Sequence, residues 1–300
     1  MNYLISIAGP TAIGKTSLSI ALAKYFSCEI ISCDSRQFYK EMRIGTAVPS
    51  EEELAQVPHH FIHNLSINDN YSVGQFEKDA LAKLEQLYKK NNLVVLVGGS
   101  GLYFDALLKG LDYFPDVNPE IRKQLNEQLQ ADGLESLQAQ LEYLDSEAYN
   151  SIDIQNPHRV IRALEICLGT EKNYSFYKNK VKNPRNFTPI KIGLDADRTI
   201  IYKRIEQRVD LMIEKGLVKE AKELFPHRKL NALQTVGYRE LFEYFEGHHS
   251  LEFAISEIKK NTRRFAKRQN TWFKKDTEIK WFDYLTDNKK IIKYIENKLK

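Results

Sequence analysis

Two hydrophobic textures alternate along this chain. Short apolar runs at Tyr3-Leu4-Ile5-Ser6-Ile7-Ala8, Glu29-Ile30-Ile31-Ser32-Cys33, Leu93-Val94-Val95-Leu96-Val97 and Pro189-Ile190-Lys191-Ile192-Gly193-Leu194 read as buried strands. Between them lie stretches of helical composition or period. Residues 17–24 follow the first run, and in residues 72–90 the positions Phe76, Ala80, Leu84 and Leu87 share one helical face. Strand and helix in alternation predict an α/β fold, a parallel sheet flanked by helices. Beyond Pro115 the texture changes. Residues 119–169 carry helical periods (Leu125, Leu129, Leu134, Leu137, Leu141, Leu144) and no convincing strand, which predicts a helical insertion. A polar stretch at 172–186 leads back to the sheet. The expected division is a core of 1–115 and 187–300, with 116–186 inserted. After the last run come a long amphipathic helical region at 198–223, a loop-to-helix junction at Thr235-Val236-Gly237-Tyr238-Arg239, and a further helix through residues 256–275.

Chemistry enters between the first strand and the first helix. Gly9-Pro10-Thr11-Ala12-Ile13-Gly14-Lys15-Thr16 reads G-x-x-x-x-G-K-T, in the strand-loop-helix setting a P-loop needs. Backbone N–H groups of such a loop ring an anion, and the helix N-terminus adds a favourable dipole. Lys15 would reach an outer phosphate, and the Thr16 hydroxyl can ligate Mg²⁺. The second strand runs straight into Asp34. In a parallel sheet, strand C-termini carry the chemistry, so Asp34 either faces the phosphates or caps the following turn. The run at 93–97 ends in Gly98-Gly99-Ser100-Gly101, which allows close backbone approach to a ligand, or simply makes a tight turn. His59, His60 and His63 have no carboxylate or cysteine at helpful spacing and read as a strand-flanking loop rather than a metal site.

Composition narrows the class without naming a reaction. Hydrophobic content of 42% and charged content of 28% are those of a soluble globular protein. No apolar run approaches a membrane span and no basic-then-apolar signal precedes the first strand, so a cytoplasmic protein is expected. Cys28, Cys33 and Cys167 have no zinc-like spacing. The net charge of +4 matters less than its distribution. Residues 256–275 hold Lys259, Lys260, Arg263, Arg264, Lys267, Arg268, Lys274 and Lys275 against the single acid Glu257, with Phe265, Trp272 and Phe273 interleaved. Such a run is a solvated helix face or a nucleic-acid backbone contact. Arg159 and Arg162, three apart on one helix, pose the same choice.

Taken together, the motifs closely resemble the bacterial tRNA dimethylallyltransferases, also called tRNA isopentenyltransferases. The matching stretches are the residue 9–16 loop, Asp34-Ser35-Arg36-Gln37-Phe38-Tyr39, Ile44-Gly45-Thr46-Ala47, and Val97-Gly98-Gly99-Ser100-Gly101-Leu102-Tyr103. They continue with Asn156-Pro157-His158-Arg159-Val160-Ile161-Arg162-Ala163-Leu164-Glu165, Val236-Gly237-Tyr238-Arg239 and Lys267-Arg268-Gln269-Asn270-Thr271-Trp272-Phe273, spanning nearly the whole chain.

The resemblance implies a P-loop NTPase-like core and transfer of a dimethylallyl group from its diphosphate to the exocyclic amine of an adenosine. That adenosine lies just 3′ of the anticodon, in tRNAs reading codons that begin with U. It implies Mg²⁺ as cofactor, dimethylallyl diphosphate and tRNA as partners, and a monomer. Asp34 would take the proton from the attacking amine, with Ser100 beside it. Gly9, Pro10, Thr11, Ala12, Ile13, Gly14, Lys15, Thr16 and Arg208 would hold the diphosphate. Asp34, Ser35, Arg36, Gln37, Ser100, Arg122, His158, Arg159, Val160, Ile161, Arg162, Arg264, Lys267 and Arg268 would contact tRNA. Ser100 departs from the family, where most relatives have threonine, keeping the hydroxyl but losing the methyl that restricts its rotamer. Three other functions compete: a small-molecule kinase using ATP with Asp34 as base, a prenyltransferase acting on free adenine nucleotides, and a non-catalytic, nucleotide-gated RNA-binding module.

Overall fold

The computed structural model describes residues 1–178 and 184–299. The chain divides into two compact units, residues 1–109 with 185–300, and residues 110–184. In the first, the elements run β1 (Tyr3–Ala8), α1 (Lys15–Tyr25), β2 (Ile30–Ser32), α2 (Glu51–Leu54), β3 (His59–His60), α3 (Val73–Tyr88), β4 (Leu93–Val97) and α4 (Gly101–Lys109). The insertion contributes α5 (Pro119–Leu144), α6 (Ser146–Ser151), α7 (Pro157–Gly169) and α8 (Tyr174–Tyr177). The first unit then resumes with β5 (Thr188–Asp195), α9 (Arg198–Glu214), α10 (Leu217–Leu224), α11 (Tyr238–Phe245), α12 (Leu251–Phe273), β6 (Lys280–Asp283) and α13 (Asn288–Lys298).

Among the described residues the six strands form one sheet in the order β3-β2-β4-β1-β5-β6, every neighbouring pair parallel. The central strands are apolar on both faces because both faces are covered, as parallel sheets require. Strand alternation sorts the side chains: Leu4, Val94 and Leu96 pack with Phe76, Leu84 and Phe104 of α3 and α4. Ile5, Ile7 and Val95 pack on the opposite face with Leu18 and Leu22 of α1, Ile205 of α9 and Ile295 of α13. A third cluster joins α9, α10, α11 and α12 through Val209, Leu217, Leu241, Ala254 and Ile258. Helix α12 reaches all three clusters, since Ala266 belongs to one sheet face and Phe273 to the other.

Two strands go beyond the sequence reading. β3 and β6 have two and four residues at the sheet edges, too short for a periodic signal. On β5, Lys191 is buried but ion-paired with Asp276 at 2.9 Å and Glu278 at 2.6 Å, so its charge does not disqualify the strand.

The insertion is helical, as its periods predict. α5 starts at an Asn118 cap with Pro119 in its first turn and bends at Gly133, where φ is 79°. Leu125, Leu137 and Leu141 pack against Val160, Ile161 and Leu164 of α7. The unit begins at Gly110 rather than 116 because Phe114 already stacks on Tyr174, ring centroids 4.9 Å apart. It ends at Pro184 rather than 186 because Arg185 is tied to the first unit, through Glu77 and through the Ala106 carbonyl at 2.6 Å. Of the polar stretch that rejoins the sheet, residues 179–183 lie outside the described residues.

Candidate active site

The C-terminal ends of β1, β2 and β4 open onto a cleft of about 1000 Å³ in the first unit. Its cationic end is the residue 9–16 loop between β1 and α1. Gly9 has φ 141°, and a Cβ there would stand 2.6 Å from the Leu194 carbonyl oxygen, so only glycine lets the loop turn against β5. Ala12 also sits at positive φ, 63°, an uncommon conformation for a residue with a Cβ. The loop is held from outside. Arg204 donates to the Ala12 carbonyl at 2.7 Å, Arg208 to the Thr11 hydroxyl at 3.0 Å, and Lys15 folds back to the Pro10 carbonyl at 2.7 Å.

Two cations, Lys15 and Arg208, are thereby crowded by protein while still lining the cleft. Desolvation lowers Lys15 to about 8; Asp34 pulls the other way, and Arg208 adds to the depression. Arg208 is lowered by the same desolvation, with Asp34 opposing. One carboxylate therefore faces two crowded cations beside a ring of backbone N–H groups. A multiply charged anion in the cleft would offset that surplus of positive charge. Thr16, at the start of α1, lines the same end.

Asp34 follows β2. Its Oδ1 accepts from the Arg36 N–H at 3.1 Å, capping the turn, and the residue lines the cleft. Opposite, the Ser100 hydroxyl accepts from the Ser35 N–H at 3.0 Å and lies 3.0 Å from the Ser35 hydroxyl. Leu102, Val209, Met212, Ile258, Phe265 and Trp272 contribute apolar surface to the remaining walls, among polar side chains such as Thr46, Gln207, Gln234 and Thr262.

Arg36 and Gln37 line the cleft and also brace its loops. Arg36 donates to the carbonyls of Asn231 (2.8 Å) and Ala232 (2.9 Å), which ties its guanidinium to a neighbouring loop. Gln37 donates to the carbonyls of Thr46 (3.2 Å) and Ala47 (3.1 Å). That loop is itself anchored by Glu220, which accepts from the N–H groups of Arg43, Ile44 and Gly45 and from the Tyr238 hydroxyl at 2.7 Å. These contacts join Ile44-Gly45-Thr46-Ala47 and Gly237-Tyr238 in one structure.

In the insertion, Asn156 caps α7 by accepting from the N–H groups of His158 and Arg159. His158 and Arg159 are exposed, but Val160 and Ile161 are buried in the unit's apolar core. Their side chains have no surface to offer a nucleic acid, because the helical period turns them inward. Arg122 and Arg162 both hold Glu165, at 2.9 and 2.8 Å, and Arg162 lies over the Phe114 ring. Burial pushes the Glu165 carboxyl up, but the two guanidiniums outweigh it and leave the group below its ordinary value.

The basic face of α12 is smaller than its sequence suggests. Lys259 pairs with Asp210 at 2.6 Å, Lys260 with Glu257 at 2.8 Å, Arg263 with Glu206 at 2.7 Å, and Lys274 with Asp195 at 2.7 Å. Arg264 bonds only the neutral Asn261, and Arg268 lies 5.8 Å from the Phe265 ring and lines the cleft. Sequence reading also passed over Gln269, which is buried and joins two loops of the cleft, Oε1 accepting from the Thr11 N–H at 2.8 Å and Nε2 donating to the Gly99 carbonyl at 2.9 Å. Its signal was present: Gln269 falls on the Ile258, Ala266, Phe273 stripe, a polar residue on the apolar face.

The family model described as IPP transferase matches residues 37–276. The tRNA dimethylallyltransferase of Flavobacterium johnsoniae is 61% identical over 306 residues, covering 100% of this chain and 99% of the relative. The tRNA dimethylallyltransferase 1 of Bacteroides fragilis is 46% identical over 297 residues, covering 99% and 98%. The crystal structure of a full-length tRNA isopentenylpyrophosphate transferase from Bacillus halodurans matches with TM-score 0.73 and 36% identity, covering 100% of this chain and 96% of that one. With most of its length matched by the model and relatives this similar from end to end, the chain belongs to the IPP transferase family.

Proposed function

We propose that this protein transfers a dimethylallyl group from dimethylallyl diphosphate to the exocyclic amine of the adenosine just 3′ of the anticodon, in tRNAs reading codons that begin with U. The observation that carries the proposal is the pair of desolvated cations, Lys15 and Arg208, facing the same cleft as Asp34. A diphosphate answers the first feature, and an acceptor that must lose a proton answers the second. The names of the relatives supply the substrates.

In this reading the allylic C–O bond breaks as the amine nitrogen bonds to the same carbon. The bond's electron pair leaves with the diphosphate, toward Lys15, Arg208 and the N–H groups of a P-loop NTPase-like core. The amine proton passes to the Asp34 carboxylate. Apolar walls beside the charged end suit the prenyl tail and exclude water from an electron-poor carbon. Mg²⁺ is held mostly by phosphate oxygens and water, and the Thr16 hydroxyl at the loop end of the cleft is an oxygen donor of the kind it takes. Thr16 would hold it with the diphosphate, and it would neutralise charge on the leaving group. Arg122, His158, Arg159 and Arg162 of the insertion serve tRNA in this account, as do Arg264, Lys267 and Arg268. The target base must leave its stack to reach Asp34.

The test is to incubate the protein with labelled dimethylallyl diphosphate and, separately, bulk tRNA, AMP or ATP. Label should enter tRNA in step with diphosphate release. Label in AMP or ATP instead would make it a free-nucleotide prenyltransferase. Phosphoryl transfer from ATP without prenyl transfer would make it a kinase, and RNA binding without turnover a non-catalytic module.

A further inference from the structure

The two halves of the proposed reaction lie on loops far apart in sequence. The diphosphate side is the residue 9–16 loop, and the acceptor side is built by Asp34, Ser35 and Ser100. One side chain joins them. Gln269 comes from α12, 258 positions from Thr11 and 170 from Gly99, and is 5% exposed. Thr11 also holds Arg208 through its hydroxyl, while Gly99 leads directly into Ser100, which holds Ser35 beside Asp34. A Cβ on Gly99 would collide with the Gln269 amide nitrogen, so the fit has no slack on that side.

The chemistry of the bridge is specific. It needs an acceptor for the Thr11 N–H and a donor for the Gly99 carbonyl on one short fork, which an amide supplies and a carboxylate does not. We propose that Gln269 is a positioning residue, setting the distance between the leaving diphosphate and the acceptor amine. The proposal rests on the prenyl-transfer reading of the cleft. Both backbone groups it holds are engaged by Gln269 itself, so each substrate should still bind when the bridge is cut. What suffers is their mutual alignment, where about 1 Å of misplacement can cost on the order of 10²-fold in rate.

Two variants test this in the prenylation assay, with thermal melting and dimethylallyl diphosphate binding measured in parallel. Gln269→Glu keeps the shape and the acceptor but opposes two oxygens at Gly99. Its kcat should fall by about 10- to 100-fold, with KM for each substrate moving less than about threefold. Because a protonated glutamate regains an O–H for the Gly99 carbonyl, its turnover relative to the wild type should rise as pH falls. Gln269→Met keeps volume, loses both contacts, and should be slow at every pH. If that variant does not fold, the isosteric Gln269→Glu decides alone. Wild-type turnover with only a lowered melting temperature would overturn the proposal, as would a KM effect confined to one substrate with kcat intact. If the wild type itself transfers no prenyl group, the reading of the cleft fails and takes this proposal with it.

Discussion

Replacing Arg264 and Lys267 with glutamine tests whether α12 contacts the tRNA backbone. Four of the eight cations between residues 256 and 275 are neutralised by carboxylates at 2.6–2.8 Å. Among the described residues, the other four (Arg264, Lys267, Arg268 and Lys275) make no ion pair within 4.0 Å. If those four neutralise phosphates, counterion release gives a slope of log affinity against log salt of roughly −2.8, taking about −0.7 per contact for single-stranded character. A fourfold rise in salt would then weaken binding about 50-fold, and in the double variant only about sevenfold, its slope near −1.4. Fluorescence anisotropy titrations of an anticodon stem-loop at several salt concentrations measure both slopes. The double variant should weaken every tRNA alike without changing which adenosine is modified, since backbone contacts carry no sequence information. Lys259→Gln, which removes a cation already engaged by Asp210, should leave the slope unchanged. An unaltered slope in the double variant would show that this face never meets RNA.

The other predictions address the cleft. Asp34→Asn keeps the shape and the turn-capping oxygen but removes basicity, so turnover should fall by roughly 10²–10⁴ while tRNA binding survives. Near-normal turnover would reassign Asp34 to its cap. In the free protein Lys15 loses its charge as pH rises through about 8, so kcat/KM for dimethylallyl diphosphate should decline above that pH. Lys15→Arg, whose charge persists throughout, should remove that limb even if its absolute rate is lower, and an identical limb would assign the titration elsewhere.

Some of this was legible along the chain because it is local. A buried parallel strand must be an apolar run, and a loop that wraps an anion needs glycine at fixed spacing, so β1, β4, β5 and the residue 9–16 loop announce themselves. Asp34 could be placed at the strand end, though its two readings could not be separated, since a cap and a base use the same carboxylate and here the residue serves as a cap inside the cleft. The edge strands β3 and β6 escaped because pairing with a neighbour, rather than their own two to four residues, makes them strands.

The larger gap concerns partners. A sequence counts charges but does not show which are already satisfied. The run from Lys259 to Lys275 reads as one basic face, yet Glu206 and Asp210 of α9, together with Glu257 and Asp195, pair with half of its cations. Arg36 and Gln37 sit in a functional motif and line the cleft, yet part of the Arg36 guanidinium and the Gln37 amide are already engaged by carbonyls of residues 231–234 and 46–47. Val160 and Ile161 share a motif with Arg159 and Arg162 but face the insertion's core, because about 100° per residue puts positions i and i+3 on one face and the two between them on the other. Helical period alone could have flagged Gln269 as a polar residue on a buried stripe. Only the tertiary structure could say that its two ends land on Thr11 and Gly99, because those contacts join segments 258 and 170 residues apart whose meeting is decided by how the sheet and α12 pack.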